Sequence, residues 1–469
     1  MPDAVSRWLE AGQQALEAGR FPEAATAFAL VRDAMPRDVS IAIALANVYR
    51  LAGDVLMARA TLRASHASGA WVDPSIAFAL GAALLEAGAP LEAAACFKHV
   101  VSLMPHNPAA LGALAGAMRT MGDPAAGWPL MHRAITKAPA DPALLLTAAQ
   151  LRHDLGDPAG AMRWLDRADA VRPNHAATHL QRAYTLLLGG ASAAGWRAFE
   201  ARPLPTPATT ARAWNSEPLQ GASILVTAEQ GVGDQFQFVR FVSHLVARGA
   251  TRVVVECHAD AVSLLMHSGL DAVARGAPPE TDWHVPLLSL PHRLELHDNV
   301  LGNRVPYLRA AGTRSVAPSG DRAARRFGLV WAGNPSFVGR VTRDLDPALL
   351  PVIVDIPGIE WVALQHGDAG NVSIDRLQRI ALSPDWSATA ETLAGLDGLV
   401  TTDTGIAHLA GAMGIPTWVM LQHVPDWRWG LHGTTTPWYP SMRLVRQSRP
   451  QDWLGVVDAL HHLLTEIPS

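Results

Sequence analysis

Pro105, Pro139 and Pro173 are evenly spaced, 139 − 105 = 34 and 173 − 139 = 34 residues apart. A chain that repeats at this interval is built of stacked two-helix units, each too small to bury its apolar face alone. Pro36 stands two periods plus one residue before Pro105. The positions between the prolines fill in register. Trp8, Gly12, Ala24 and Phe28 precede Pro36, and Leu80, Gly81, Leu84, Ala93 and Phe97 precede Pro105. Leu111, Leu114, Met118, Met131 and Ala134 precede Pro139, and Leu145, Ala148, Ala161, Leu165 and Ala168 precede Pro173. Small residues at fixed places let two helices approach, and Leu and Phe fill the gaps. Gly53-Asp54, Gly122-Asp123 and Gly156-Asp157 mark the tight turn inside a pair. A second unit (Ala42, Leu45, Tyr49, Ala58, Leu62) and a sixth (Arg182, Ala183, Leu186, Phe199) follow the pattern less fully.

This register resembles the tetratricopeptide repeat, and residues 1–200 are expected to form an α-superhelix with a concave face. Such grooves bind peptides or proteins. Asn47, Arg50, Arg119, Gln150 and His153 lie on the first helices of their units and are the candidate groove residues for a protein acceptor. The array itself carries no chemistry.

Residues 201–220 open with three prolines in five residues, Pro203, Pro205 and Pro207, which end any helix and read as a linker. The texture then changes. Residues 224–228 are a short β-rich run, 229–234 a Gly-containing loop, 235–248 carry helical spacing, and Val253-Val254-Val255 is a second strand. The alternation resumes after Arg322, with strands at 327–331, 361–364, 399–402 and 417–421. Parallel sheets in two Rossmann-like domains are expected over 221–315 and 320–469, with ligands at the carboxyl ends of the strands. A chain of 469 residues is too long for one core, which agrees with this division.

The net charge is 38 − 42 = −4 with no long basic run, which argues against nucleic acid. No run of about 20 apolar residues is present, so no membrane span is expected. The two cysteines, Cys96 and Cys257, are far apart, and residues 1–4 lack a leader pattern. These features lead us to expect a cytoplasmic protein.

Three segments carry chemistry. Residues 400–410 read as a buried strand, a polar loop and a helix start. The free backbone N–H groups of Thr404, Gly405 and Ile406 and the helix dipole suit a phosphate. Thr404 and His408 share a helix face, so His408 is placed to donate to the same phosphate and Asp403 to hold a sugar hydroxyl. The plainer alternative makes Asp403 and Thr404 ordinary helix caps. The second segment, 228–235, offers Asp234 at a strand-to-helix junction as a general base, or as a simple cap. Gly231-x-Gly233 with Glu256 mimics a dinucleotide fingerprint, but Phe236 occupies the third glycine position. The third segment joins Asp426, Trp427, Arg428 and Trp429 to Trp438. Arg428 suits phosphate or carboxylate, and packing is the expected role of Trp429 and Trp438.

Residues 220–460 resemble bacterial tetratricopeptide proteins whose glycosyltransferase domain is related to the heptosyltransferases of lipopolysaccharide assembly. The resemblance rests on 229–234, 286–291, 328–335, Leu364-Gln365, 403–408 and 425–429. It implies a GT-B fold, so that the whole chain would be α plus α/β: a TPR-like superhelix followed by two Rossmann-like domains. The nearer domain would face the acceptor, with Asp234 as the base. The farther one would hold a nucleotide-sugar donor at Asn334, Arg343, Gln365, Thr402, Asp403, Thr404, Gly405, His408, Asp426, Trp427 and Arg428. No metal and no further cofactor are expected, and the reaction would be inverting. Residues 336–344 depart from the family pattern, retaining only Arg343. Flagellin-modifying enzymes that use nonulosonic sugars are arranged similarly, which makes a Ser or Thr hydroxyl of a protein the expected acceptor. A glycan or lipid-linked acceptor, and a scaffold built on a decayed transferase, are the alternatives.

Overall fold

The computed structural model describes residues 2–36, 38–67, 73–296, 305–312, 324–334, 340–367 and 372–466. The chain divides into two compact units, Met1–Pro173 and Asn174–Ser469.

The first unit is a succession of helix pairs. Pro2–Glu17 pairs with Phe21–Ala34, Val39–Leu51 with Val55–Ala67, and Pro74–Glu86 with Pro90–Leu103. Pro108–Thr120 then pairs with Pro124–Lys137, and Pro142–Asp154 with Pro158–Val171. Two further proline series carry the repeat: Pro74, Pro108 and Pro142 start the first helices, and Pro90, Pro124 and Pro158 start their partners. At a first turn the missing N–H has no intrahelical acceptor to lose. Asp73, Asn107 and Asp141 cap these first helices through their side chains. Gly19, Gly53, Gly88, Gly122 and Gly156 turn the chain within each pair at φ values from 69° to 84°, where a Cβ would be strained. The small-residue positions are explained by contact. A Cβ on Gly12 would stand 3.1 Å from the Phe28 ring, and one on Gly81 2.7 Å from the Phe97 ring.

The second unit opens with the helices Ala176–Leu188 and Ala193–Phe199, which the sequence joins to the array as its sixth repeat. Here they are part of the α/β body. Trp196 packs edge-on against Phe238, Trp427 and Trp438, and Phe199 against Trp427.

Two parallel sheets follow. The first holds β1 (Arg212–Ala213), β2 (Ser223–Thr227), β3 (Arg252–Cys257), β4 (Asp271–Ala274) and β5 (Trp283–Pro286) in the order β1-β5-β2-β3-β4. The second holds β6 (Arg325–Val330), β7 (Ile359–Ala363), β8 (Leu377–Arg379), β9 (Gly398–Thr402), β10 (Thr417–Leu421) and β11 (Met442–Arg446) in the order β11-β10-β9-β6-β7-β8. The runs 224–226 and 399–402 are buried throughout, as strands covered on both faces must be. The helix Trp453–Thr465 covers one face of the second sheet with Val456, Val457 and Leu460.

The helical stretch after β2 is broken where the sequence suggests continuity. Val232–Phe238 passes through a tight turn, Val239–Phe241, into Val242–Ala247. The turn holds the buried Arg240, whose guanidinium donates to the carbonyls of Gln237 (2.8 Å) and Trp438 (2.7 Å) and to the Tyr307 hydroxyl (2.8 Å). No helix among the described residues is long and apolar enough to cross a membrane.

Candidate functional site

Two strand-to-helix junctions meet in the second unit. One follows β2 and starts the helix Val232–Phe238; the other follows β9 and starts the helix Gly405–Met413. Glycine makes the meeting possible. A Cβ on Gly233 would lie 3.0 Å from both the Gly405 Cα and the His408 ring. Neither neighbour is a flexible tip that can swing aside, so only glycine fits.

Asp234 projects from the first junction. One carboxylate oxygen accepts the Gly231 N–H at 3.0 Å, so it does cap its helix. The other accepts from Arg428, whose guanidinium lies across three partners. Arg428 also donates to Asp426 (2.9 Å) and to the Gln237 side-chain oxygen (2.8 Å), and it stacks 4.3 Å above the Trp427 ring. Asp426 is fixed independently, since it accepts the backbone N–H of Arg428 at 3.0 Å. The turn Trp427–Trp429 is itself pinned by Arg446, which donates to the carbonyls of Trp429, Gly430 and Gly433.

At the second junction the Thr404 hydroxyl does not cap the helix. It turns back to Thr401 (2.9 Å) and the Thr402 carbonyl (3.3 Å). The helix start therefore has no side-chain cap, while the Thr402 hydroxyl is fully buried with no hydrogen-bond partner among the described residues. An uncapped start beside an unpartnered hydroxyl has the chemistry of an anion site. His408 lies one turn into the helix, stacked on Trp429 at 5.3 Å. Its Nδ1 is 3.0 Å from the Tyr439 hydroxyl, and its Nε2 is 4.0 Å from Asp403. Burial, reinforced by Arg428, Arg240 and Arg343, pushes its pKa well down, so the imidazole is neutral near pH 7.

The carboxylates shift the other way. Burial raises the pKa of Asp234 against the opposing pull of Arg428. Burial and then the charge of Asp426 raise Asp403 to about 6, against Arg343 and Arg428. Burial acts to lower Arg428, but Asp426 and Asp234 outweigh it and hold the guanidinium protonated. With every carboxylate ionised, the cluster has three negative groups (Asp234, Asp403, Asp426) and two positive ones (Arg343, Arg428). The buried Arg240 adds a third cation nearby, so these charges balance, and protonating or withdrawing a carboxylate tips them toward an entering anion.

One expected result is a pH dependence. Protonating Asp403 removes a negative charge beside the anion site. Asp403→Asn should therefore bind inorganic pyrophosphate, used as a probe anion, severalfold more tightly than the native chain at pH 7.5. The advantage should shrink as the pH falls through the folded pKa of about 6. Taking the ratio of the two affinities cancels the ligand's own titration, and calorimetric titrations on either side of that pKa would check it.

The remaining sequence candidates are placed as follows. Gln365, after β7, bolts the loop after β6: its side-chain oxygen accepts from Trp331 and Ala332 N–H at 3.0 and 2.9 Å, and its amide donates to two carbonyls. Arg343 lies against Gly333, where a Cβ would be 2.4 Å from its guanidinium. Asn334 is exposed at the end of the loop, and residues 335–339 lie outside the described residues. Trp427, like Trp429 and Trp438, is buried in the aromatic core. Glu256 of the dinucleotide reading spends both oxygens on the backbone N–H groups of Ala228 and Gly276. Among the described residues no three metal-ligating side chains gather.

In the first unit, Asn47 and Arg50 border a cavity of about 580 Å³ with Ile43, Phe78, Ala79 and Ala82. Arg50 pairs with Glu86 at 2.8 Å and Arg119 with Asp154 at 2.9 Å, each linking neighbouring repeats. Gln150 and His153, both half-buried, lie on the first helix of the last pair.

Sequence reading missed Gln237, Arg240 and Tyr307, which meet partners distant in the chain. For Gln237 and Arg240 the visible signal is a polar residue inside the aromatic run 236–241.

No protein-family model matches the chain. The curated Protein FlbA of Caulobacter vibrioides is 25% identical over 317 residues, covering 57% of this chain and 51% of that protein. The chain therefore spans about half the length of this relative. Among solved structures, MamA aligns over 36% of this chain and 93% of its own, at 17% identity and a TM-score of 0.31. Pseudomonas aeruginosa pilF aligns over 39% and 83%, at 18% identity and a TM-score of 0.34. A thermophilic TPR protein of Thermus thermophilus aligns over 39% and 99%, at 18% identity and a TM-score of 0.34. The first unit is a TPR-like array. Its own geometry establishes this, through helix pairs at a 34-residue period with glycine turns. The second unit is α/β with parallel sheets.

Proposed function

We propose that the second unit is a glycosyltransferase of GT-B type and that the array recruits its acceptor, a protein with a Ser or Thr hydroxyl. The convergence of Asp234 with Arg428 and the uncapped start of Gly405–Met413 carries the reading. It sets a carboxylate with a raised pKa beside an anion site, the pairing that inverting transfer needs.

In this mechanism the donor phosphate lies at the start of Gly405–Met413. Backbone N–H groups, Arg428 and neutral His408 donate to it. Asp234 accepts the proton of the acceptor hydroxyl as its oxygen attacks the anomeric carbon. The bond from that carbon to the phosphate oxygen breaks, its electron pair stays on the phosphate, and the nucleotide departs. Preorganised donors stabilise the charge that develops on the leaving oxygen. Burial raises the Asp234 pKa toward the working pH, where a general base is most effective.

The test is a thermal-shift panel of cytidine, uridine, guanosine, adenosine and thymidine nucleotides. One base class should stand out and stabilise the second unit by about 2.7 kcal/mol at 100 times its dissociation constant. A flat panel would remove the nucleotide-sugar reading.

A further inference from the structure

Arg428 is claimed from two sides. The proposed donor phosphate needs it as a cation, and Asp234 already holds it. The guanidinium is largely buried, so water does little to screen the groups around it. A diphosphate arriving here adds negative charge beside the carboxylates of Asp234 and Asp426. Its phosphate competes with two carboxylates, Asp234 and Asp426, for the one guanidinium. Asp426 is tied twice, to the guanidinium (2.9 Å) and to the Arg428 backbone N–H (3.0 Å). Asp234 has only its guanidinium contact on this side. Its second oxygen stays on the Gly231 N–H, so the carboxylate remains anchored when the contact opens.

We infer that Arg428 is a latch: before the donor binds it masks Asp234, and the donor phosphate, by taking Arg428, unmasks Asp234 as the base. The order of events follows. While Arg428 covers Asp234, the carboxylate is occupied and a poor proton acceptor. Once phosphate takes the guanidinium, Asp234 is free to accept the hydroxyl proton. An acceptor hydroxyl, or a water in its place, meets an active base only when the donor is present. The Gln237 oxygen on Nε, at 2.8 Å, keeps the guanidinium in the plane that serves both partners, which makes Gln237 a positioning residue. This inference rests on the phosphate site proposed above.

The test is a double-mutant cycle on the full chain, read as affinity for inorganic pyrophosphate by calorimetry. Four proteins are compared: native, Asp234→Asn, Arg428→Gln and the double variant. Removing the competing carboxylate should tighten binding by about fivefold or more, the usual scale of coupling between linked sites. In the Arg428→Gln background the same Asp234→Asn change should tighten binding much less. Equal tightening in both backgrounds would mean simple charge removal and would overturn the latch. So would native-like affinity in Asp234→Asn. Failure of all four proteins to bind, with native melting curves, would sink the phosphate site itself, a different result from loss of the latch alone. If Arg428→Gln does not fold, Arg428→Lys takes its place: it keeps the charge but lacks the fork, and the tightening by Asp234→Asn should shrink.

Discussion

Asp234→Asn should slow sugar transfer by about 10²–10⁴-fold, the range for losing a general base, while making nucleotide binding tighter. The substitution is nearly isosteric. The Asn side-chain oxygen still accepts the Gly231 N–H, so the helix Val232–Phe238 keeps its cap. What disappears is a basic oxygen next to the anion site. Rate and affinity therefore move independently, and the measurement is initial-rate kinetics with the panel nucleotide sugar alongside calorimetric binding. A variant that turns over at the native rate would take the base role from Asp234. A variant that loses nucleotide binding as well would make its role structural.

The largest effect on stability should come from Arg202. It lies just after the helix Ala193–Phe199 and is almost fully buried. Its guanidinium grips both oxygens of Glu229, at 2.8 and 2.7 Å, and reaches Ser289 at 2.8 Å and Glu200 at 2.9 Å. Glu229 is equally buried and otherwise receives the Leu288 N–H at 2.9 Å. Arg202→Met leaves a carboxylate in the core with its countercharge gone, which should destabilise the second unit by about 3–5 kcal/mol. Adding Glu229→Gln removes the stranded charge and should recover part of the loss. Denaturant unfolding of the full chain reads both; no loss in the single variant would show that the pair is not what fastens residue 202 to the first sheet.

These two residues show what a sequence makes legible. Asp234 is visible because a strand, a glycine loop and a helix start are consecutive, and the chemistry of such a junction is local. The same holds for 400–410 and for the repeat, whose period is written in prolines and glycines. The Arg202–Glu229 clamp is not visible, although both residues lie in segments that the sequence singles out, because nothing local says that a linker arginine returns to a strand end. Arg240 meets Tyr307 and Trp438, and His408 meets Tyr439, only once the sheets are assembled. The end of the array misleads for a related reason. Helical spacing continues to Phe199, but Trp196 and Phe199 bury against Trp427 and Trp438, so packing partners rather than helical period set the boundary at Pro173. At the start of Gly405–Met413, Thr404 takes the cap position, but its hydroxyl turns toward Thr401 instead of capping the helix.

The most direct test is a crystal structure of the chain with the nucleotide that stabilises it. The phosphate should lie at the start of the helix Gly405–Met413, within hydrogen-bond distance of the Arg428 guanidinium, with Asp234 released from that arginine. A nucleotide bound elsewhere, with Arg428 still on Asp234, would contradict it.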